Sequence, residues 1–316
     1  MTRNEVEKGG SVTVIVLSSD EGGVGMQPAV SCLNQGCSAI DAVQRGIEAV
    51  EADPSVRTVG RGGSPNMLGV LECDAAIMDG NTLQTGAVGA LQGFLHAISV
   101  ARSVMEHLPY VMLVGAGAYR YAREINAHST DMCTPQTDEE YRAWVQKRIH
   151  PQSCSEWQNG PLAEYTWPRR GDRTRGTVIF LVQDIDGTIA AGSSTSGWSY
   201  KYPGRIGDTP IIGAGIYADS RYGACGCTHT GEMAIRCSTA YSVVRAMKSG
   251  ASIKDACHDA AEDLMALRGG FLGPVVLHAI DRNGEPYVLS VKKKTPATYW
   301  MWTGELSETR RLSSHM

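Results

Sequence analysis

The stretch RGTVIFLVQDIDGTIAAGSSTSG at 175–197 most constrains how this chain can fold. Two apolar runs of strand length, Thr177–Val182 and Thr188–Ser193, flank an Asp-Ile-Asp-Gly whose Asp and Gly supply hairpin-turn geometry. In the first run Val178 and Phe180 fall on one face, Thr177 and Ile179 on the other. Both faces are mostly apolar, as in a sheet covered on each side. Hydroxyls gather at the strand ends: Thr177 opens the first run, and Ser193, Ser194 and Thr195 close the second. GRIGDTPIIGAG follows at 204–215 and CTHTGE at 227–232. A packed core has no need of so many polar groups at strand ends, whereas loops placed by a sheet are where chemistry usually sits.

Each of these residues has a plain reading and a chemical one. Thr177 is either a β-branched residue opening a strand or a nucleophile. A threonine hydroxyl needs a base, and a free α-amine on the same residue can serve. Thr177 is internal, so that role requires the chain to break between Gly176 and Thr177. Thr195 either satisfies turn backbone groups or assists that break. Arg205 and Asp208 either pair with each other or grip a ligand, since a guanidinium fork suits a carboxylate and an aspartate receives an ammonium.

GTV at 176–178, GRIGDTPIIGAG at 204–215, GGSP at 62–65, DAAIMDG at 74–80 and GAVG at 86–89 together resemble the N-terminal-nucleophile (Ntn) asparaginases, which include glycosylasparaginases and isoaspartyl peptidases. Thr177 lies 18 residues before Thr195, 28 before Arg205 and 51 before Thr228, in the family's register; a nucleophile at Thr174 would spoil all three. The resemblance covers nearly the whole chain except roughly residues 130–172. It implies an α+β fold, a single four-layer αββα sandwich of the Ntn-hydrolase type over residues 1–316. It also implies autoproteolysis at Gly176–Thr177 into an α chain, 1–176, ending in a linker from about 129, and a β chain, 177–316. Thr177 would be the nucleophile and Thr195 its neighbour in the cleavage chemistry. Thr228 and the His229 backbone amide would hold an oxyanion. Arg205 and Asp208 would bind the α-carboxylate and α-ammonium of an aspartyl unit, with Ser64 supporting the site. No metal or organic cofactor is implied, and the expected assembly is a homodimer of cleaved units.

The rest of the chain fits a protein of this kind. At 316 residues it can bury a large core in one domain. Lys plus Arg total 29 against 33 Asp plus Glu, a net charge of −4, which speaks against a general nucleic-acid binder. No apolar stretch reaches membrane-spanning length, and MTRNEVEKGG has no apolar signal segment. Nine widely spread cysteines suit free thiols in a reducing compartment, so a cytoplasmic location is expected. Cys225 and Cys227 share a strand face, where a disulfide or metal site is the less favoured alternative.

Periodicity predicts a strand at 11–18, one helix from Pro28 to Asp53, a strand in DAAIMDG, a helix from Gly86 to His107 and a strand at 110–114. A helix is predicted over 117–126, and others over 233–247 and 253–267, with strands at 274–280 and 286–291. Residues 129–172 read as polar loop, although Trp144, Trp157 and Trp167 argue that some of it packs. Lys292–Lys294 beside Tyr299, Trp300 and Trp302 read as an edge strand or subunit contact rather than a nucleic-acid patch.

Several positions depart from the family pattern. Arg175-Gly176 stands where glycosylasparaginases carry His-Asp. Ile179 and His229 replace glycines, Asn66 a position often acidic, and a tryptophan near Ser19 is missing. The favoured function is hydrolysis of the side-chain amide of a β-aspartyl substrate, N4-glycosylasparagine first, with isoaspartyl peptidase/L-asparaginase as the alternative. A non-catalytic relative using the cleft to bind a ligand or partner stays open.

Overall fold

The computed structural model describes residues 13–148, 157–166 and 176–316; Cys154, Trp167, Arg175 and part of the expected linker lie outside them. The first apolar run forms β1 (Ile15–Ser19) and ends in a 3₁₀ turn, Asp20–Gly22. The single helix expected from Pro28 to Asp53 is corrected to two, α1 (Gly23–Asn34), which contains Pro28, and α2 (Ala39–Ala52). Gly36 breaks the run with φ +82°, a conformation cheap only for glycine. Ser38 then caps α2 by accepting from the Asp41 amide at 3.4 Å.

DAAIMDG lies in β2 (Glu72–Asp79). The helix expected from Gly86 is also corrected: β3 (Thr85–Gln92) comes first and α3 (Ala97–His107) only afterwards. β3 pairs antiparallel with β2. Its small residues let α3 lie close, since a side chain on Gly86 would meet the Ala101 carbonyl. Short β4 (Met112–Val114) and α4 (Gly115–Glu124) follow. The segment read as loop then contains α5 (Pro135–Arg148). An aromatic cluster holds it: Trp144 stacks on Tyr200 at 4.3 Å, and Tyr141 Oη and Trp157 Nε1 each donate to the Met67 carbonyl at 3.0 Å. The apolar signal of α5 is confined to these few rings, which is why periodicity missed it.

The hairpin forms as β5 (Val178–Gln183) and β6 (Ile189–Thr195), paired antiparallel. β7 (Ile216–Asp219) and β8 (Gly223–His229) precede α6 (Gly231–Cys237) and α7 (Thr239–Lys248), which Ser238 separates at φ +48°. The chain closes with α8 (Ile253–Ala266), β9 (Val275–Asp281), β10 (Pro286–Val291), β11 (Thr298–Thr303) and β12 (Arg310–Ser313).

Eight strands form one sheet in the order β12-β11-β1-β5-β6-β2-β3-β4, and four form another, β10-β9-β8-β7. β11 is therefore interior, and β12 is the edge. Three apolar clusters define four layers. Val178, Phe180 and Val182 face α1 and α2; Ile179 and Leu181 meet Ala224 and Val276 between the sheets; Cys225, Cys227 and Leu277 pack under α6–α8. The sandwich is αββα. β5 buries both faces at its centre, as its composition requires.

Candidate active site

The site lies where β5 begins and β6 and β8 end. Thr177, 7% exposed, heads β5, and its carbonyl accepts from Ser19 Oγ at 2.8 Å. Thr195, at the end of the neighbouring strand, donates from Oγ1 to the Gly176 carbonyl at 2.8 Å and accepts from the Gly197 amide at 3.0 Å. The carbonyl just before Thr177 is thus polarised by a fixed hydroxyl. Gly176, Thr177, Thr195, Trp198, Arg205, Asp208 and His229 line one pocket.

The glycine loop carrying Arg205 and Asp208 is tied down by β2. Glu72 accepts from the Gly204 amide at 3.1 Å, and Asp74 from the Gly207 amide at 3.4 Å. Neither carboxylate was singled out in the sequence, although Asp74 opens a motif that was. Arg205 does not pair with Asp208. It forks onto Glu232 Oε1 at 2.6 and 3.1 Å and stacks over Trp198, 4.7 Å from the ring centre. Glu232, though it closes the CTHTGE motif, and Trp198, seven residues before Arg205, were missed because nothing along the chain shows that either side chain packs on the Arg205 guanidinium. Asp208 is buried, its Oδ2 has no hydrogen-bond partner, and desolvation raises its pKa to about 7 against the pull of Arg205. An orphaned carboxylate aimed into a pocket beside a guanidinium is suited to an ammonium carboxylate ligand.

Thr228 and His229 end β8. His229 holds φ +84°, the left-handed region that favours glycine, so the turn accepts a side chain there at the cost of strain. Its Nδ1 lies 2.9 Å from Thr228 Oγ1 and its Nε2 3.2 Å from Lys293 Nζ. A lysine ammonium only donates, which places the imidazole proton on Nδ1, donating to Thr228. The Thr228 hydroxyl proton is then available to a further acceptor. Lys293, read as part of an edge or subunit contact, instead reaches into the site. Beyond His229 a second cavity of about 170 Å³ is lined by Ser19, Glu21, Thr228, His278 and Lys293. Burial raises Glu21 to about 7 and lowers buried His278 to about 4.

Other expected residues sit further out. Ser64 does not reach the pocket; it accepts from Ser199 Oγ at 2.8 Å, and its amide donates to Ser196 Oγ at 3.2 Å, bracing the turn after Thr195. Asn66 faces its own loop, accepting from the Leu68 and Val70 amides. Ser194 donates to buried Glu51 at 2.5 Å, and Ser193 to the Thr209 carbonyl at 3.3 Å, so both serve packing. In place of the missing tryptophan, Asp20 follows Ser19 and pairs with Arg311 at 2.6 Å. The eight described cysteines are free thiols, Cys225 and Cys227 among them. Among the described residues no group of three or more His, Cys, Asp or Glu could hold a metal, and no helix is long and apolar enough to cross a membrane.

Residues 25–309 match a family model described as asparaginase. The N(4)-(beta-N-acetylglucosaminyl)-L-asparaginase of Elizabethkingia miricola is 35% identical over 258 residues, 80% of this chain and 71% of that protein. The Rattus norvegicus protein of the same name is 34% identical over 261 residues, 77% and 75% of the two chains. "Probable isoaspartyl peptidase/L-asparaginase 3" of Arabidopsis thaliana is 32% identical over 286 residues, 82% and 79%. Against the first Drosophila relatives the matched region spans 66% of the relative, just under two thirds of its length.

Proposed function

The chain belongs to the asparaginase family, and we propose that it is an Ntn amidohydrolase that cuts itself before Thr177 and then hydrolyses the side-chain amide of a β-aspartyl substrate. The observation that carries this reading is the Thr195 hydroxyl seated on the Gly176 carbonyl, at a buried Thr177 heading the central strand. The chain 1–176 would end at Gly176, and Thr177 would begin the chain 177–316 with a free amine.

In turnover the Thr177 amine takes the hydroxyl proton as Oγ1 attacks the β-carbonyl carbon of the substrate. Thr228, oriented by His229 Nδ1, donates its hydroxyl proton to the developing oxyanion, and the His229 backbone amide donates beside it. The leaving amine departs protonated, and water hydrolyses the acyl ester. Arg205 binds the α-carboxylate, in place of or alongside Glu232, and Asp208 binds the α-ammonium.

The leaving group favoured is the glycosylamine of N4-glycosylasparagine, the substrate after which the bacterial and rat relatives are named. Isoaspartyl peptidase/L-asparaginase is the second reading, favoured by GTV at 176–178 and by the plant relative. The open β4 edge exposes Tyr110, Val111 and Val114, which supports pairing of cleaved units into a homodimer. The free thiols suit a reducing compartment such as the cytoplasm.

The test compares GlcNAc-asparagine, β-aspartyl dipeptides and asparagine by kcat/KM on the cleaved protein, with N-terminal sequencing of the product. Thr177→Ala is expected to stay full length and inactive on all three. Normal hydrolysis by clean T177A rejects Thr177 as nucleophile. Binding of a β-aspartyl ligand by the wild-type protein without turnover returns the non-catalytic reading.

A further inference from the structure

The internal cleavage needs a base before any free amine exists, because the Thr177 nitrogen is still an amide. Residue 176 is glycine and supplies no side chain. The space beside it is filled instead. A Cβ built on Gly176 would lie 2.5 Å from Glu21 Oε1 and would also meet Thr58 Oγ1. Glu21 comes from the 3₁₀ turn after β1, the strand that pairs with β5. Its carboxyl lies against Gly176, the residue that carries the scissile carbonyl, and lines the second cavity, on which Ser19 and Thr228 also open.

The geometry points to Glu21 as the general base of the self-cleavage step, occupying the room that the glycine before the nucleophile leaves open. This rests on the reading that the chain is cut before Thr177. In the step, the Glu21 carboxylate takes the proton from Thr177 Oγ1, and Oγ1 bonds to the Gly176 carbonyl carbon. The Thr195 hydroxyl stabilises the oxygen of the tetrahedral species. The bond from that carbon to the Thr177 nitrogen breaks as the nitrogen takes the proton back from Glu21. An ester and a free amine result. Water then adds to the ester, its C–O bond breaks, and the Gly176 carboxylate and the Thr177 hydroxyl are released.

The groups facing Glu21 set the ionisation on which the step depends. Asp20 of the same turn adds negative charge, Lys293 after β10 opposes it, and His229 and His278 line the same cavity. Burial dominates and holds the carboxyl near neutral, where a base is most effective.

The test follows cleavage of pulse-labelled full-length chain made by cell-free translation, across about pH 5 to 9, for wild type, Glu21→Gln and Glu21→Asp. Wild-type cleavage is expected to rise through one ionisation near about 7. E21Q is expected to lose that ionisation and to cleave about a hundredfold more slowly or worse. E21D is expected to retain it at a reduced rate. E21Q cleaving within about threefold of wild type, at an equal melting temperature, overturns the proposal. Should E21Q fail to fold, a flat wild-type profile overturns it and a profile with that ionisation, kept by E21D, supports it. Wild type showing no product beginning at Thr177 at any pH removes the cleavage reading itself and the base with it.

Discussion

At the residue scale, Asp208 shows how a group proposed to bind substrate is held at a cost to the fold. Its carboxyl is buried without a partner on Oδ2, and its pKa rises from 3.8 to about 7. Between those values the native state keeps a proton that the unfolded chain has released, so this group's contribution to stability falls as pH rises from about 4 to about 7. Asp208→Asn removes that liability. It is expected to melt higher than wild type at about pH 8, with the difference shrinking toward about pH 4. The same variant loses the anion proposed to receive the substrate ammonium, and KM is expected to rise about ten- to hundredfold. Scanning calorimetry across pH, paired with steady-state kinetics, checks both. A variant that is less stable than wild type at about pH 8 contradicts the assigned ionisation. In wild type, kcat/KM for an α-ammonium substrate should climb through neutral pH.

At the scale of elements, the two sheets meet closely behind Thr177. Ile179, on the same face of β5 as Thr177, packs onto Gly226 of β8, where a Cβ would lie 2.7 Å from Ile179 Cγ2. The bulk that Ile179 brings is therefore taken up by a glycine on the facing strand. Gly226→Ala is expected to destabilise by about 1–3 kcal/mol through overpacking. Ile179→Ala alone is expected to cost about 2–5 kcal/mol as a cavity. The double variant should be more stable than the sum of the two predicts, because each change makes room for the other. Urea unfolding of the four proteins measures that coupling; strict additivity would show that the sheets do not meet there as described.

At the scale of the whole molecule, the proposed cut falls between interleaved strands. In the order β12-β11-β1-β5-β6-β2-β3-β4, β1 of the first chain lies between β11 and β5 of the second, while β6 of the second pairs with β2 of the first. The eight-stranded sheet is divided between the two products, while the four-stranded sheet, β10-β9-β8-β7, lies wholly in the second. The two chains are expected to co-elute on native size exclusion at no less than the 33.9 kDa of the uncut chain, and to separate only in denaturant. Chains that part under native conditions would contradict this packing. The expected loss of Thr177 function on failure to cleave thus concerns one bond, not assembly.

The sequence by itself determined the central hairpin and its two buried faces, because strand alternation is a local property; the set Thr177, Thr195, Arg205, Asp208 and Thr228 came from the resemblance to the asparaginases, and the structure gathers the first four around one pocket. It determined less where local signals agree with two structures. A Gly- and Ala-rich β3 reads as helix when only its apolar spacing is seen, and α1 and α2 read as one helix until Gly36 turns the chain. Only the tertiary structure decided the partners: Glu232 on Arg205, Lys293 and His229 behind Thr228, Gly226 facing Ile179, and Glu21 against Gly176. Apart from His229, which is the neighbour of Thr228, these pairs join segments tens to hundreds of residues apart, and which distant side chains meet is fixed by how the sheets and helices pack, not by any pattern along the chain.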